Sequence, residues 1–115
     1  MPSEKTAHRI QDILDNIHWI QADSEGMRWA DFCDNRLVQD AVLFSLLRLS
    51  EAAKKLGDEA EALMPEQPWQ QIQSFGNILR HDYDTIDLEF VWSLMQGPLQ
   101  SLERDCRQAL EQLDE

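Results

Sequence analysis

Residues 74–87 read Ser-Phe-Gly-Asn-Ile-Leu-Arg-His-Asp-Tyr-Asp-Thr-Ile-Asp, and Asn77, Arg80, His81 and Tyr83 crowd into one short part of that run. On a helix, Asn77 and Arg80 stand at i and i+3 and Asn77 and His81 at i and i+4, so all three share a face. Tyr83 falls just beyond the expected helix end. Histidine exchanges a proton near neutral pH. Arginine brings a permanent charge and a planar fork that fits phosphate. Such a set suits acid–base chemistry beside a phosphodiester such as an RNA backbone. The bland alternative is that the His is structural and the Arg complements the negative end of the helix dipole. The residues alone leave both readings open.

The helix that carries this set starts at Pro68, a residue suited to a first helical turn. Trp69, Ile72, Phe75 and Leu79 recur at helical spacing and read as its core face. Gly76 in mid-helix costs about 1 kcal/mol against Ala, which makes sense where another backbone or a substrate comes close. A helix over about 36–56 holds Leu37, Val38, Ala41, Val42, Leu43, Phe44, Leu46, Leu47 and Leu49. It is apolar almost all round between 41 and 49, the pattern of a central helix packed on several sides. Arg48 and Glu51 interrupt it, and a charge near a core is costly unless paired. Either they pair with each other at i and i+3, or they line the cleft that holds His81. Lys54 and Lys55 suit the C-terminal dipole of this helix, and Gly57 ends it.

The remaining chain is helical too. Ser3 and Glu4 open a helix with an N-cap oxygen and an acid in the first turn. Ile10, Ile13, Leu14, Ile17 and Ile20 then give it one apolar face. His8 and His18 lie on that helix as surface or boundary residues. Asp23-Ser24-Glu25-Gly26 makes a turn. A short helix through Trp29 and Phe32 follows, with Asp34 or Asn35 as cap of the next. Asp58 to Met64 is a short helix stopped by Pro65, 82–85 reads as a loop, and Asp87 caps a last helical region. Gly97-Pro98 should kink or divide that region. The expectation is one all-α domain over 1–115, a helical bundle with a long central helix and a kinked C-terminal helix.

Composition narrows the function classes. A chain of 115 residues has room for one domain. Cys33 and Cys106 are too few for a disulfide framework and read as small apolar residues on helix faces of a reduced, cytoplasmic protein. No Cys or His spacing suggests a metal, and no cofactor is implied. The polar N-terminus does not read as a signal peptide, and the apolar run 41–47 is too short to span a bilayer. The net charge of −12 repels nucleic acid in general. It favours a basic protein partner, while a local positive patch could still form from Arg36, Arg48, Lys54, Lys55, Arg80 and His81.

The run Pro-Trp-Gln-Gln-Ile (68–72) followed by Phe-Gly-Asn-Ile-Leu-Arg-His-Asp-Tyr (75–83) resembles the signature region of the HepT-like proteins. The similarity extends back through Gln39-Asp40-Ala41-Val42 and 50–56, and forward to Ile86-Asp87 and Trp92. These are small helical bundles of the HEPN superfamily, typically the toxin half of bacterial toxin–antitoxin pairs. The resemblance implies metal-independent RNA cleavage, with His81 in acid–base chemistry, Arg80 on the phosphate and Asn77 orienting one or the other. Glu51 and Arg48 are the supporting candidates. It also implies a homodimer and a minimal nucleotidyltransferase as antitoxin, which would silence the toxin by AMP transfer to Tyr83. No membrane or DNA partner is expected. The family motif is Arg, four residues, His, one residue, Tyr. Here His81 and Tyr83 match, while Gly76 stands where the Arg belongs. The hypothesis for an active protein is that Arg80, one turn on, reaches into the space that Gly76 leaves.

Three functions are compatible with this reading. The first is a ribonuclease toxin, the second a catalytically weak HEPN module that binds a protein or nucleotide, the third a plain helical interaction domain.

Overall fold

The helix starts and stops follow from local chemistry. Asn35 takes an extended backbone and its side chain accepts the Val38 N–H at 3.0 Å, opening a helix of 21 residues. That helix ends at Gly57, whose φ of 58° lets its N–H turn back onto the Ala53 and Lys54 carbonyls. Asp87 caps the penultimate helix by accepting the Glu89 N–H at 3.0 Å.

The computed structural model describes residues 2–114, with side chains from Glu4 onward. The expected Ser3 cap lies outside the described side chains. The elements are α1 (Pro2–Asp23), α2 (Trp29–Cys33), α3 (Arg36–Leu56), α4 (Asp58–Leu63), α5 (Trp69–Asp82), a 3₁₀ turn (Tyr83–Thr85), α6 (Leu88–Leu94) and α7 (Pro98–Asp114). No strand occurs among the described residues. The all-α bundle is as expected. Gly97-Pro98 divides the C-terminal region in two, one of the two outcomes expected there, because Pro98 cannot donate a bond to the turn before it. Residues 83–85 coil into the 3₁₀ turn where a loop was expected.

α3 lies between α1 and α5, and α7 packs on the other side of α1. Ile10, Ile13, Ile17 and Ile20 of α1 are buried against Val42, Leu46 and Leu49 of α3 and Leu99, Leu102 and Cys106 of α7 in one core. α2 closes an end, with Phe32 fully buried and stacked near Trp29 and Trp92. No described helix is long and apolar enough to cross a membrane.

α3 is not packed all round. Leu37 and Phe44 are 76% and 58% exposed. Arg48 neither pairs with Glu51 nor joins the cleft of His81. Its guanidinium lies 5.2 Å from the Trp19 ring and 5.6 Å from the Phe44 ring. A cation over two aromatic faces shields apolar surface that periodicity assigned to the core. Both cysteines lie on helices as expected, Cys33 exposed at the end of α2 and Cys106 buried in α7.

Candidate active site at the contact of α3 and α5

α5 meets α3 closely because Gly76 has no side chain. The Gly76 N–H donates to Ser50 Oγ at 2.9 Å, and that hydroxyl donates to the Gln73 carbonyl at 3.2 Å. A Cβ at position 76 would lie 2.7 Å from Ser50 Oγ and 3.2 Å from Ser50 Cβ. The space beside Gly76 is thus filled by Ser50 of the neighbouring helix. Arg80 does not reach into it, contrary to the sequence expectation. The reason is steric, since two helix backbones draw together there and leave no channel for a guanidinium.

The close approach sets the side chains on either side of it against one another. Ser50 is followed by Glu51 and, one turn later, by Lys54. Gly76 is followed by Asn77 and, one turn later, by Arg80. Asn77 Oδ1 accepts from Arg80 at 2.6 Å and from Lys54 Nζ at 2.9 Å, so two cations converge on one oxygen. Arg80 also pairs with the Glu51 carboxylate. The hydrogen bond from Arg80 holds the Glu51 carboxyl below the usual glutamate range, against the opposing effect of desolvation. With two cations and one carboxylate, this exposed cluster carries a net charge of about +1 on a protein of net charge −12.

The sequence-derived set is only partly assembled. Asn77, Arg80 and Glu51 come together as a unit. His81 is exposed at the end of α5 and makes no hydrogen bond or ion pair among the described residues. It follows Arg80 directly in the chain. Arg48 stays with Trp19, as described. Lys54, one of the residues from which the sequence could build a local positive patch, belongs to the cluster. Its spacing of three residues from Glu51 was the available signal.

Tyr83 sits at the C-terminal end of α5, half exposed, and its hydroxyl donates to Asp40 Oδ1 on α3 at 2.5 Å. That bond, together with desolvation and the Asp40 charge, pushes the Tyr83 hydroxyl above the usual tyrosine range, with Arg36 opposing. Asp40 lies within the segment 39–42 but was not singled out as its partner. Among the described residues, no group of three or more His, Cys, Asp or Glu side chains could hold a metal ion.

Chemically, the end of α5 offers an imidazole beside a small cationic patch, with a tyrosine hydroxyl one turn further on. Comparison with known proteins bears on what such an end does. A family model described as Ribonuclease HepT-like matches residues 9–109. A protein of Thermococcus cleftensis named "Probable ribonuclease HepT" is 27% identical over 100 residues, covering 85% of this chain and 91% of its own length. A protein of Methanocaldococcus jannaschii bearing the name "Putative RNase" is 22% identical over 96 residues, covering 84% and 88%. A second protein of that organism with the same kind of name is 28% identical over 95 residues, covering 83% and 78%. No solved structure matches the chain at a significant level. The family match spans every helix from the first turns of α1 to the middle of α7, and on it the chain belongs to the HepT-like ribonuclease family of the HEPN superfamily.

Proposed function

We propose that this protein is a cytoplasmic ribonuclease toxin that cleaves RNA at the end of α5 without a metal. The observation that carries the reading is the convergence of Lys54 and Arg80 on Asn77 Oδ1, immediately before His81. It supplies a local anion site on an otherwise acidic surface. In the reaction, His81 takes the proton from a ribose 2′-hydroxyl, whose oxygen attacks the adjacent phosphorus. The bond from phosphorus to the 5′-oxygen breaks, and the leaving oxygen takes up a proton. Lys54 and Arg80 stabilise the charge that gathers on the non-bridging oxygens. Asn77 holds both cations at the correct distance. In a homodimer, two copies of α5 would let one His81 act as base and the other as acid.

The Arg80–Glu51 pair does not block this use of Arg80. Ion pairs exposed to this degree contribute roughly 0–1 kcal/mol, so an incoming phosphate displaces the Glu51 carboxylate at little cost. Regulation follows from Tyr83. A minimal nucleotidyltransferase antitoxin would transfer AMP from ATP to its hydroxyl, with release of pyrophosphate and of the hydroxyl proton, breaking the bond to Asp40 and setting a bulky anion beside the cluster.

One observation favours a second reading, a HEPN module that binds a protein or nucleotide without cleaving RNA. Gly76 occupies the position of the family Arg and is locked against Ser50, so the departure is built into the helix packing. Induction of the chain in a bacterial host separates the two. Growth arrest with wild type but not with His81→Ala supports the nuclease. No arrest with either moves the protein to the binding reading. Loss of AMP incorporation in Tyr83→Phe, with the nucleotidyltransferase co-expressed, tests the regulatory part separately.

A further inference from the structure

The flank of α5 turned away from the cationic cluster faces an open apolar groove. It has a volume of about 640 Å³ and lies between α5 on one side and α6 with the start of α7 on the other. Leu46 of α3 forms its floor. Phe75, Ile78, Phe90, Leu94 and Leu102 form its walls. Ile78 and Phe90 are 47% and 49% exposed at its mouth, and the Phe75 and Phe90 rings meet edge-on at 5.9 Å across it. Large apolar side chains left exposed together in a concave surface mark a contact site.

The charge around the groove selects its occupant. From Met64 to Leu79 and from Asp82 to Leu102 the chain has no Lys or Arg, and the Arg80 that α5 carries between these segments is held at the cationic cluster. The same segments hold Glu66, Asp82, Asp84, Asp87 and Glu89, and Asp82 and Asp87 line the groove itself. An RNA backbone would be repelled there. A second copy of this chain, docked with like ends of the groove together, would bring Asp82 and Asp87 against their own counterparts. Apolar walls with Asp82 and Asp87 at the end where α5 turns into α6 instead complement a helix with one apolar stripe and a basic end.

We infer that this groove docks a basic amphipathic helix of a partner protein. The occupant would lay its apolar stripe on Phe75, Ile78 and Phe90 and set Lys or Arg against Asp82 and Asp87. A helix of about 14 residues, roughly 21 Å long, matches the length of α5. The site is separate from the cationic cluster, so the inference stands whether or not the chain cleaves RNA.

The test uses the full chain and a fluorescein-labelled 14-residue peptide of Leu and Lys at helical spacing, followed by fluorescence anisotropy. Asp82→Asn with Asp87→Asn should weaken binding at least tenfold. This pair preserves folding, because Asn caps α6 as well as Asp does. Ile78→Ser with Phe90→Ser should weaken it as much. Asp23→Asn with Glu25→Gln, which removes the same charge from the turn after α1, should change it less than twofold. A peptide with Glu in place of Lys should not bind. The inference is overturned if the Asp23/Glu25 variant loses as much as the groove variants, or if the groove variants bind like wild type. It is also overturned if sedimentation shows the Ile78/Phe90 variant to be a monomer where wild type is a dimer and the peptide does not bind, for then a second copy fills the groove.

Discussion

Gly76→Ala is the substitution whose sign tests the account of the α3–α5 contact. Helix propensity alone makes Ala the better residue by about 1 kcal/mol in mid-helix. The packing argues the other way. The new Cβ would sit 2.7 Å from Ser50 Oγ and 3.2 Å from Ser50 Cβ. The hydroxyl cannot simply rotate off, because it accepts from the Gly76 N–H and donates to the Gln73 carbonyl. Overpacking of this kind costs about 1–3 kcal/mol, so the net change is a loss of about 0–2 kcal/mol. Ser50 is 1% exposed, and removing its side chain should relieve the clash. Urea denaturation of wild type, Gly76→Ala, Ser50→Gly and the double variant closes a cycle. The two substitutions should couple favourably by about 1–3 kcal/mol. A Gly76→Ala protein more stable than wild type by the full propensity gain, with no coupling to Ser50, would refute the close approach.

Other expectations follow from the same contacts. Arg48→Ala should destabilise by about 0.5–1 kcal/mol through loss of its stacking on Trp19 and Phe44. Its effect should add to that of Glu51→Ala within about 0.5 kcal/mol in thermal melts; strong coupling would restore the rejected Arg48–Glu51 pair. Glu51 has a depressed folded pKa, so its contribution is present above the unfolded value of about 4.3 and is lost as pH falls through the folded one. The stability difference between wild type and Glu51→Gln should be at most about 1 kcal/mol near pH 7 and vanish in acid. A difference that grows on acidification would contradict the pairing with Arg80. Burial, with Asp105 adding, pushes the Cys106 thiol up to about 12, whereas Cys33 is exposed and raised by desolvation, Asp34 and Glu89. An aromatic disulfide reagent at pH 8 should therefore modify Cys33 slowly in the native protein and Cys106 only as the fold opens. Two thiols modified in the native state would place Cys106 wrongly.

Much of the fold was legible because helix boundaries are local. Asn35, Gly57, Pro65, Asp87 and Gly97-Pro98 act on their own neighbours, and each marks a start or stop seen in the structure. Periodicity also found the α1 face, since Ile10, Ile13, Ile17 and Ile20 recur at helical spacing and all four are buried. It failed at α3, where Phe44 and Leu37 share the apolar composition of the core but face solvent. No local pattern reveals that Trp19, from another helix, brings a ring to Arg48. The site shows the same division. Asn77 and Arg80 were visible as a helical pair, whereas Lys54 and Glu51 join them only through the crossing of two helices 23 or more residues apart in sequence. The function of Gly76 needed that crossing as well. The sequence marked it as a place of close approach, but only the structure names Ser50 as what approaches.

The charge distribution fixes how RNA binding should depend on salt. The cluster offers two cations per chain, Lys54 and Arg80, and the apolar groove on the other flank of α5 offers none. Neutralising Z phosphates of a single strand gives a slope of log K against log salt of about −0.7Z. Two contacts therefore predict about −1.4, and two chains acting on one strand about −2.8. The His81→Ala protein permits the measurement on intact RNA, by filter binding of an unstructured oligonucleotide over a range of KCl. Arg80→Ala should lower the single-chain slope to about −0.7 and weaken binding uniformly across sequences. A slope steeper than about −3 would require a basic surface that the cluster does not provide, and would move the RNA to another face. A slope unchanged by Arg80→Ala would remove Arg80 from the phosphate and leave Lys54 as the remaining cation of the cluster.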